Sequence, residues 1–132
     1  MHEFEDLPGA EKQSFSMYYG GGTIWFEHLD GMKDHTNLVM GKFEKDYCQF
    51  ISPSQPSLIA INLDETIVNH MIIDLIAEKL LYGKKRFMRV VFVGVNRTTK
   101  RKIIVALKKK TFALNFINDF EKAKEWLISE KQ

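Results

Sequence analysis

The sequence predicts an α/β domain, a mixed sheet of about five strands with about four helices. Two observations predict it. From Ser57 onward, the β-branched runs 57–63 (SLIAINL), 87–95 (FMRVVFVGV) and 111–117 (TFALNFI) are each followed by a segment of helical period. Upstream, the apolar-rich runs 14–19 and 23–29 are joined by Gly20, Gly21 and Gly22. Strand runs this apolar need cover on their faces, so repeated strand–helix units imply a sheet packed under helices.

The elements follow in order. The opening MHEFEDLPGAE is acidic and contains Pro8 and Gly9. Residues 1–13 are therefore expected to be a flexible acidic lead-in, with the domain over 14–132. The glycine run between two apolar segments predicts a hairpin, since glycine reaches the positive φ of tight turns. As a phosphate loop it would need a following Lys-Ser/Thr and a helix, and it has neither. Asp34 is placed to cap a helix over 35–50, with Leu38, Val39, Phe43, Tyr47 and Phe50 as its buried stripe. Gly41 weakens that helix by ~1 kcal/mol relative to alanine. The stretch SPSQP (52–56) ends it with a loop.

After the run 57–63, Asp64, Glu65 and Thr66 stand where a helix should begin, and Asp64 or Thr66 is the expected cap. Ile67, Met71, Ile72, Leu75, Ile76 and Leu80 make its apolar face, predicting a helix over 67–81. In a parallel sheet, strand carboxyl ends and helix starts gather at one edge, where ligands commonly bind. Asp64, Glu65, Thr66, Asn69 and His70 are the polar residues at that edge and form the candidate partner- or ligand-binding site.

At 132 residues and 45% hydrophobic, the chain has material for one domain with a sizeable core. No apolar stretch is long enough for a bilayer, and the opening residues lack the basic-plus-apolar pattern of a signal peptide. The single cysteine, Cys48, cannot form an internal disulfide and reads as a semi-buried apolar side chain on a helix. A cytoplasmic location is expected. Net charge is +2, but Lys79 to Lys110 holds twelve Lys or Arg and no Asp or Glu. Chain geometry divides these into two regions. Lys84–Arg86 and Lys108–Lys110 share one edge of the sheet; Arg97, Lys100 and Arg101 share the other with Asp64–His70, join them in the candidate binding site and could neutralise its acidic groups.

Catalytic signatures are missing. There is no G-x-S-x-G, and His2, His28, His35 and His70 show neither HExxH nor paired metal spacing. Asp64 and Glu65 are adjacent and diverge in direction, which does not suit acid/base work. The expectation is a protein that is not an enzyme, with no cofactor, no metal and no nucleic-acid partner, since no recognition motif accompanies the basic segment.

The element order strand, strand, helix, then three strand–helix units resembles the STAS domain, the SpoIIAA-like fold of anti-sigma-factor antagonists, over about Ser14 to Leu127. HLDGMKDHTNLVMGKF resembles the family's turn and first helix, and LIAINLDETIVNHMIIDLI its central strand–loop–helix. RVVFVGVNRTTKRKIIVAL and FINDFEKAKEWL resemble the next unit and the closing stretch. The resemblance implies a single SpoIIAA-like domain and a non-catalytic regulatory or protein-interaction role with a protein partner. Small bacterial proteins of this type also resemble lipid-binding CRAL-TRIO domains in topology. That implies the alternative of a lipid or small apolar ligand, framed by Phe15, Tyr18, Trp25 and Phe26.

The chain departs from the family at its phosphorylation motif. The D-S-S-G-like sequence of the antagonists falls on Asn69, His70, Met71 and Ile72, where no hydroxyl is present. Incubation with a partner-switching kinase and ATP should leave these positions unmodified by mass spectrometry. Phosphate on Thr66 instead would reveal a displaced switch, its dianion held near a helix start.

Overall fold

A computed structural model describes residues 12–19, 22–51 and 58–129. The expected lead-in lies outside the described residues except for Lys12 and Gln13, and the loop 52–56 lies wholly outside them. Strands β1 (Phe15–Tyr19) and β2 (Gly22–His28) pair antiparallel, as the glycine run predicted. Strands β3 (Leu58–Asn62), β4 (Arg89–Val93) and β5 (Ala113–Phe116) follow in the order β1-β2-β3-β4-β5. All pairs from β2 onward are parallel. The four helices among the described residues are α1 (Thr36–Phe50), α2 (His70–Tyr82), α3 (Arg97–Ala106) and α4 (Phe120–Ile128).

Alternation along the strands sorts the core into two layers. Trp25, Ile59, Ile61, Val90 and Phe92 face one way and join Phe43, Ile76 and Ile103 from α1, α2 and α3. Ile24, Phe26, Ala60, Val91 and Val93 face the other way and are covered by Ala123 and Leu127 of α4. Strands β3 and β4 are buried on both faces, which explains why they read as continuous apolar runs.

Helix starts differ from expectation. Helix α1 begins at Thr36 after His35, with no side-chain cap. Asp34 does not cap it: the N-cap position falls on His35, and the Asp34 carbonyl accepts from the Thr36 N–H in a tight turn. Helix α2 begins at His70, three residues later than the apolar period suggested, and its cap is Asn69, whose side chain accepts from the Ile72 N–H at 3.1 Å. Residues 67–69 stay outside the helix: Ile67 N–H donates to the Lys33 carbonyl and Thr66 pairs with Lys33, continuing the β2–β3 alignment past the sheet, and Asn69 is extended. Cys48 is exposed rather than semi-buried.

One glycine is required by geometry. Gly94, just after β4, has φ +79°, and a Cβ there would lie 2.6 Å from the Asp64 Cα. The close approach seats the loop after β3 against the end of β4. Replacing Gly94 by alanine adds left-handed strain to a backbone clash, so Gly94→Ala should lower unfolding free energy by about 2–4 kcal/mol. Urea denaturation checks this, and a loss under 1 kcal/mol would mean that the loop can yield.

Candidate functional site

The edge above the carboxyl ends of β2, β3 and β4 is built from two loops held side by side. Leu29 N–H donates to the Asn62 carbonyl at 2.9 Å, Gly31 N–H to Asp64 at 2.8 Å and Lys33 N–H to Glu65 at 3.1 Å. The Thr66 hydroxyl donates to the Leu29 carbonyl at 2.7 Å and accepts from the Met32 N–H at 3.0 Å. Both its roles are spent on backbone, so Thr66 joins the loops and is neither helix cap nor free acceptor. Asn69 is similarly committed: beyond capping α2, its amide donates to the Thr36 hydroxyl at 2.8 Å, tying the starts of α1 and α2 together. Glu65 sits at φ 56°, a left-handed conformation that costs a non-glycine residue on the order of 1–2 kcal/mol.

The predicted site residues therefore divide. Asp64, Glu65 and His70 are exposed at the edge, whereas Thr66 and Asn69 hold it together. Arg97, Lys100 and Arg101 lie exposed on α3. Neither Asp64 nor Glu65 is ion-paired to them among the described residues, so the expected neutralisation does not occur. Lys100 turns toward β5, with its ammonium 5.5 Å from the Phe116 ring centre. Arg101 and His70 do share a surface. Together with Ile73, Asp74, Lys102 and Val105 they line a groove of about 480 Å³ between α2 and α3. Sequence reasoning missed the apolar part of this surface. Ile67 is 61% exposed, Met71 46% and Val105 70%, although period alone assigned Ile67 and Met71 to the buried face.

The four aromatics proposed to frame an apolar cavity do not share one. Trp25 and Phe26 point to opposite faces of the sheet and are enclosed in separate core layers. Phe15 packs on Phe26 at 5.0 Å, and Tyr18 is 86% exposed on the outer strand. The apolar gap beneath α2 and α3, between Leu63, Ile73, Phe92 and Ile103, has no room for even a water-sized sphere.

A second polar constellation lies between β2 and α1. Glu27 is 1% exposed, and its Oε1 accepts from the Trp25 indole at 2.7 Å. Its Oε2 is enclosed and meets no donor. As a carboxylate Glu27 would leave Oε2 unpaired inside the core; as an acid it can donate to Asp46. Burial, with the nearby Asp46 adding to it, pushes the Glu27 carboxyl up to about 9. Burial also acts on Asp46, but hydrogen bonds from Glu27 and Ser14 and the Lys42 charge outweigh it and hold that carboxyl below the ordinary value. Lys42 ties the cluster together, donating to Asp46 at 3.1 Å, Ser14 Oγ at 2.9 Å and the His28 carbonyl at 2.6 Å. Asp30 is held down at about 2, because hydrogen bonds from His28 and Lys12 overcome its burial. An open cleft of about 1010 Å³ lies over the outer side, lined by Lys12, Ser14, Lys42, Lys45 and Asp46. Two of its three lysines are already paired. The sequence signal was Glu27 two residues from Trp25 on an inward strand face, opposite the i,i+4 pair Lys42 and Asp46.

No family model matches the chain, and no curated protein matches it. Among solved structures, it is similar to an uncharacterized protein of the DUF3478 family with a SpoIIAA-like fold from Shewanella loihica PV-4. The two share 15% identity over 87% of this chain and 92% of that one, with a TM-score of 0.51. That likeness establishes the fold: the domain is SpoIIAA-like, with four helices among the described residues and a five-stranded mixed sheet. No helix among the described residues is long and apolar enough to cross a membrane.

The Glu27 pair gives stability a defined pH dependence. Folded Glu27 keeps its proton up to about 9, against 4.5 ordinarily. Between those values the folded state carries one proton more than the unfolded state, so stability falls as pH rises through that window. Asp30 acts in the opposite sense: its contribution is present above 3.8 and is lost as pH falls toward about 2. Glu27→Gln preserves shape and cannot ionise. It should flatten the decline of urea midpoint between about pH 5 and 9 and gain on the order of 2 kcal/mol at pH 8. Parallel declines in both proteins would show that Glu27 is ionised when folded.

Proposed function

We propose that this chain is a non-catalytic regulatory module of the STAS type that binds another protein through the edge at Asp64–His70 and the adjoining groove between α2 and α3. One observation carries the reading. At the helix start where the antagonists hold their phosphorylation motif, this protein presents Met71, 46% exposed and four residues after Ile67 at 61%, in place of a hydroxyl. Apolar side chains exposed together at a rigid edge mark an interaction surface. His70 and Arg101 give that surface a polar margin. The polar side chains Thr66 and Asn69 are committed to holding the loops and helix starts together, which supports a docking role over a catalytic one.

In this reading the phospho-switch of the antagonists is replaced by constitutive contact. A serine that accepts phosphate can be turned off by charge; a methionine at the same place cannot. Asp64 and Glu65, left without ion pairs among the described residues, select a partner with cations opposite them.

Native mass spectrometry of the protein isolated from its own host tests the proposal. A protein partner in fixed stoichiometry is expected. Met71→Glu should weaken that complex at least tenfold, about 1.4 kcal/mol or more, as for a buried interface anchor. Arg101→Glu should weaken it less and change its salt dependence. Retention of a lipid in place of a protein, or indifference to Met71→Glu, would overturn the assignment.

A further inference from the structure

The sheet has an opposite edge, below the starts of β3, β4 and β5. Arg89 pairs with Ala113 where β4 and β5 begin, so the segments leading into these strands are neighbours. One is the 3-10 turn Lys84–Arg86, and the other is the run Lys108–Lys110 after α3. Direct bonds join them. Lys84 Nζ donates to the Lys109 carbonyl at 3.1 Å, and the Thr111 hydroxyl donates to the Lys84 carbonyl at 3.2 Å. Two basic triplets thus form one surface with six cations.

Helix chemistry accounts for few of these charges. The parallel order brings the carboxyl ends of the helices to this edge, each worth roughly half a negative charge. Two ends have their own arginine: Arg86 donates to the Ile51 carbonyl after α1, and Arg89 donates to Trp126, Leu127 and Ser129 at the end of α4. The ends of α2 and α3 together offset about one of the remaining five lysine charges. None of those lysines forms an ion pair among the described residues. Beside them stand Tyr82, 84% exposed, and Met88, 59% exposed.

We propose that this edge docks the protein on an anionic membrane surface. Clusters of four to eight Lys or Arg suit a bilayer of negative headgroups, and each cation strengthens partition by about fivefold. Flexible lysine stems fit a laterally mobile array of charges better than a fixed one. The exposed tyrosine and methionine supply what a purely electrostatic surface lacks. Tyrosine settles at headgroup level, its ring in the apolar boundary and its hydroxyl in water. The surface is separate from the protein-binding edge, so a membrane-bound molecule keeps Met71 and the α2–α3 groove turned toward solution.

Sedimentation with phosphatidylcholine vesicles, with and without about a third of phosphatidylserine, tests this. Binding is expected to the anionic vesicles alone and should weaken steeply with added salt. Lys85→Glu with Lys109→Glu, both exposed positions, should reduce partition at least tenfold while circular dichroism stays unchanged. Tyr82→Ser with Met88→Ser should reduce it severalfold and leave its salt dependence intact. Arg97→Glu lies eleven residues from Lys108 along the helix and its exit, about 16 Å and beyond the Debye length, and should alter partition less than twofold. Equal binding to neutral vesicles, no binding to anionic ones, or no effect of the lysine reversals would overturn the proposal. So would a double-stranded oligonucleotide that binds through Lys85 and Lys109 when anionic vesicles do not.

Discussion

Parallel pairing from β2 to β5 is the constraint on which the remaining structure depends. A strand that must run beside its predecessor in the same direction has to be reached by a crossover, and here a helix supplies each one. Every helix then starts at one edge of the sheet and ends at the other. The upper edge collects loops, helix caps and the exposed apolar pair Ile67 and Met71. The lower edge collects helix carboxyl ends and the cations that answer them. Two surfaces of different chemistry follow from one pairing rule, before any side chain at either edge is chosen.

The cluster around Glu27 shows how such a frame accommodates a polar group in its core. A buried carboxylate with one oxygen unpaired costs several kcal/mol, and the protein avoids that by keeping the proton. Asp46 can then accept from Glu27 while Lys42 balances its charge, and the same ammonium reaches Ser14 and His28. The cluster fastens the approach to β1, the strand at the end of the sheet, which pairs with β2 among the described residues. Its position beside Trp25 argues for a structural role, since the indole and the acid complete one another inside the layer.

The sequence made the architecture legible because burial is written in period. Strands β3 and β4, enclosed on both faces, appear as unbroken apolar runs, and the hairpin appears as glycine between two such runs. Helix starts were harder to read. Asp34 and Thr66 have the right chemistry for capping, yet Asp34 sits in a local turn and Thr66 is drawn into a contact between distant loops, and no local pattern announces the Leu29–Thr66 or Lys33–Ile67 bonds. The strand carboxyl ends and helix starts do gather at one edge, as topology predicted, but the details of that edge differ from the pattern. Ile67 and Met71 fit the helical period and were assigned to the core, because the pattern cannot show that the helix begins only at His70. Glu27 was passed over for a related reason: its partners come from α1, far along the chain, and only the packed structure brings them to it.

Asp64 is trapped in its backbone and open in its side chain. Gly94 presses on its Cα, and its carbonyl holds Gly31, yet nothing among the described residues closes over its carboxylate. Glu65 next to it is placed in the same way. The edge therefore separates what must be inherited unchanged from what can drift. Substitutions at the exposed positions would revise the chemistry offered to a partner while the scaffold beneath keeps its shape. A fold arranged like this can acquire a new partner by ordinary point mutation, without passing through a misfolded intermediate.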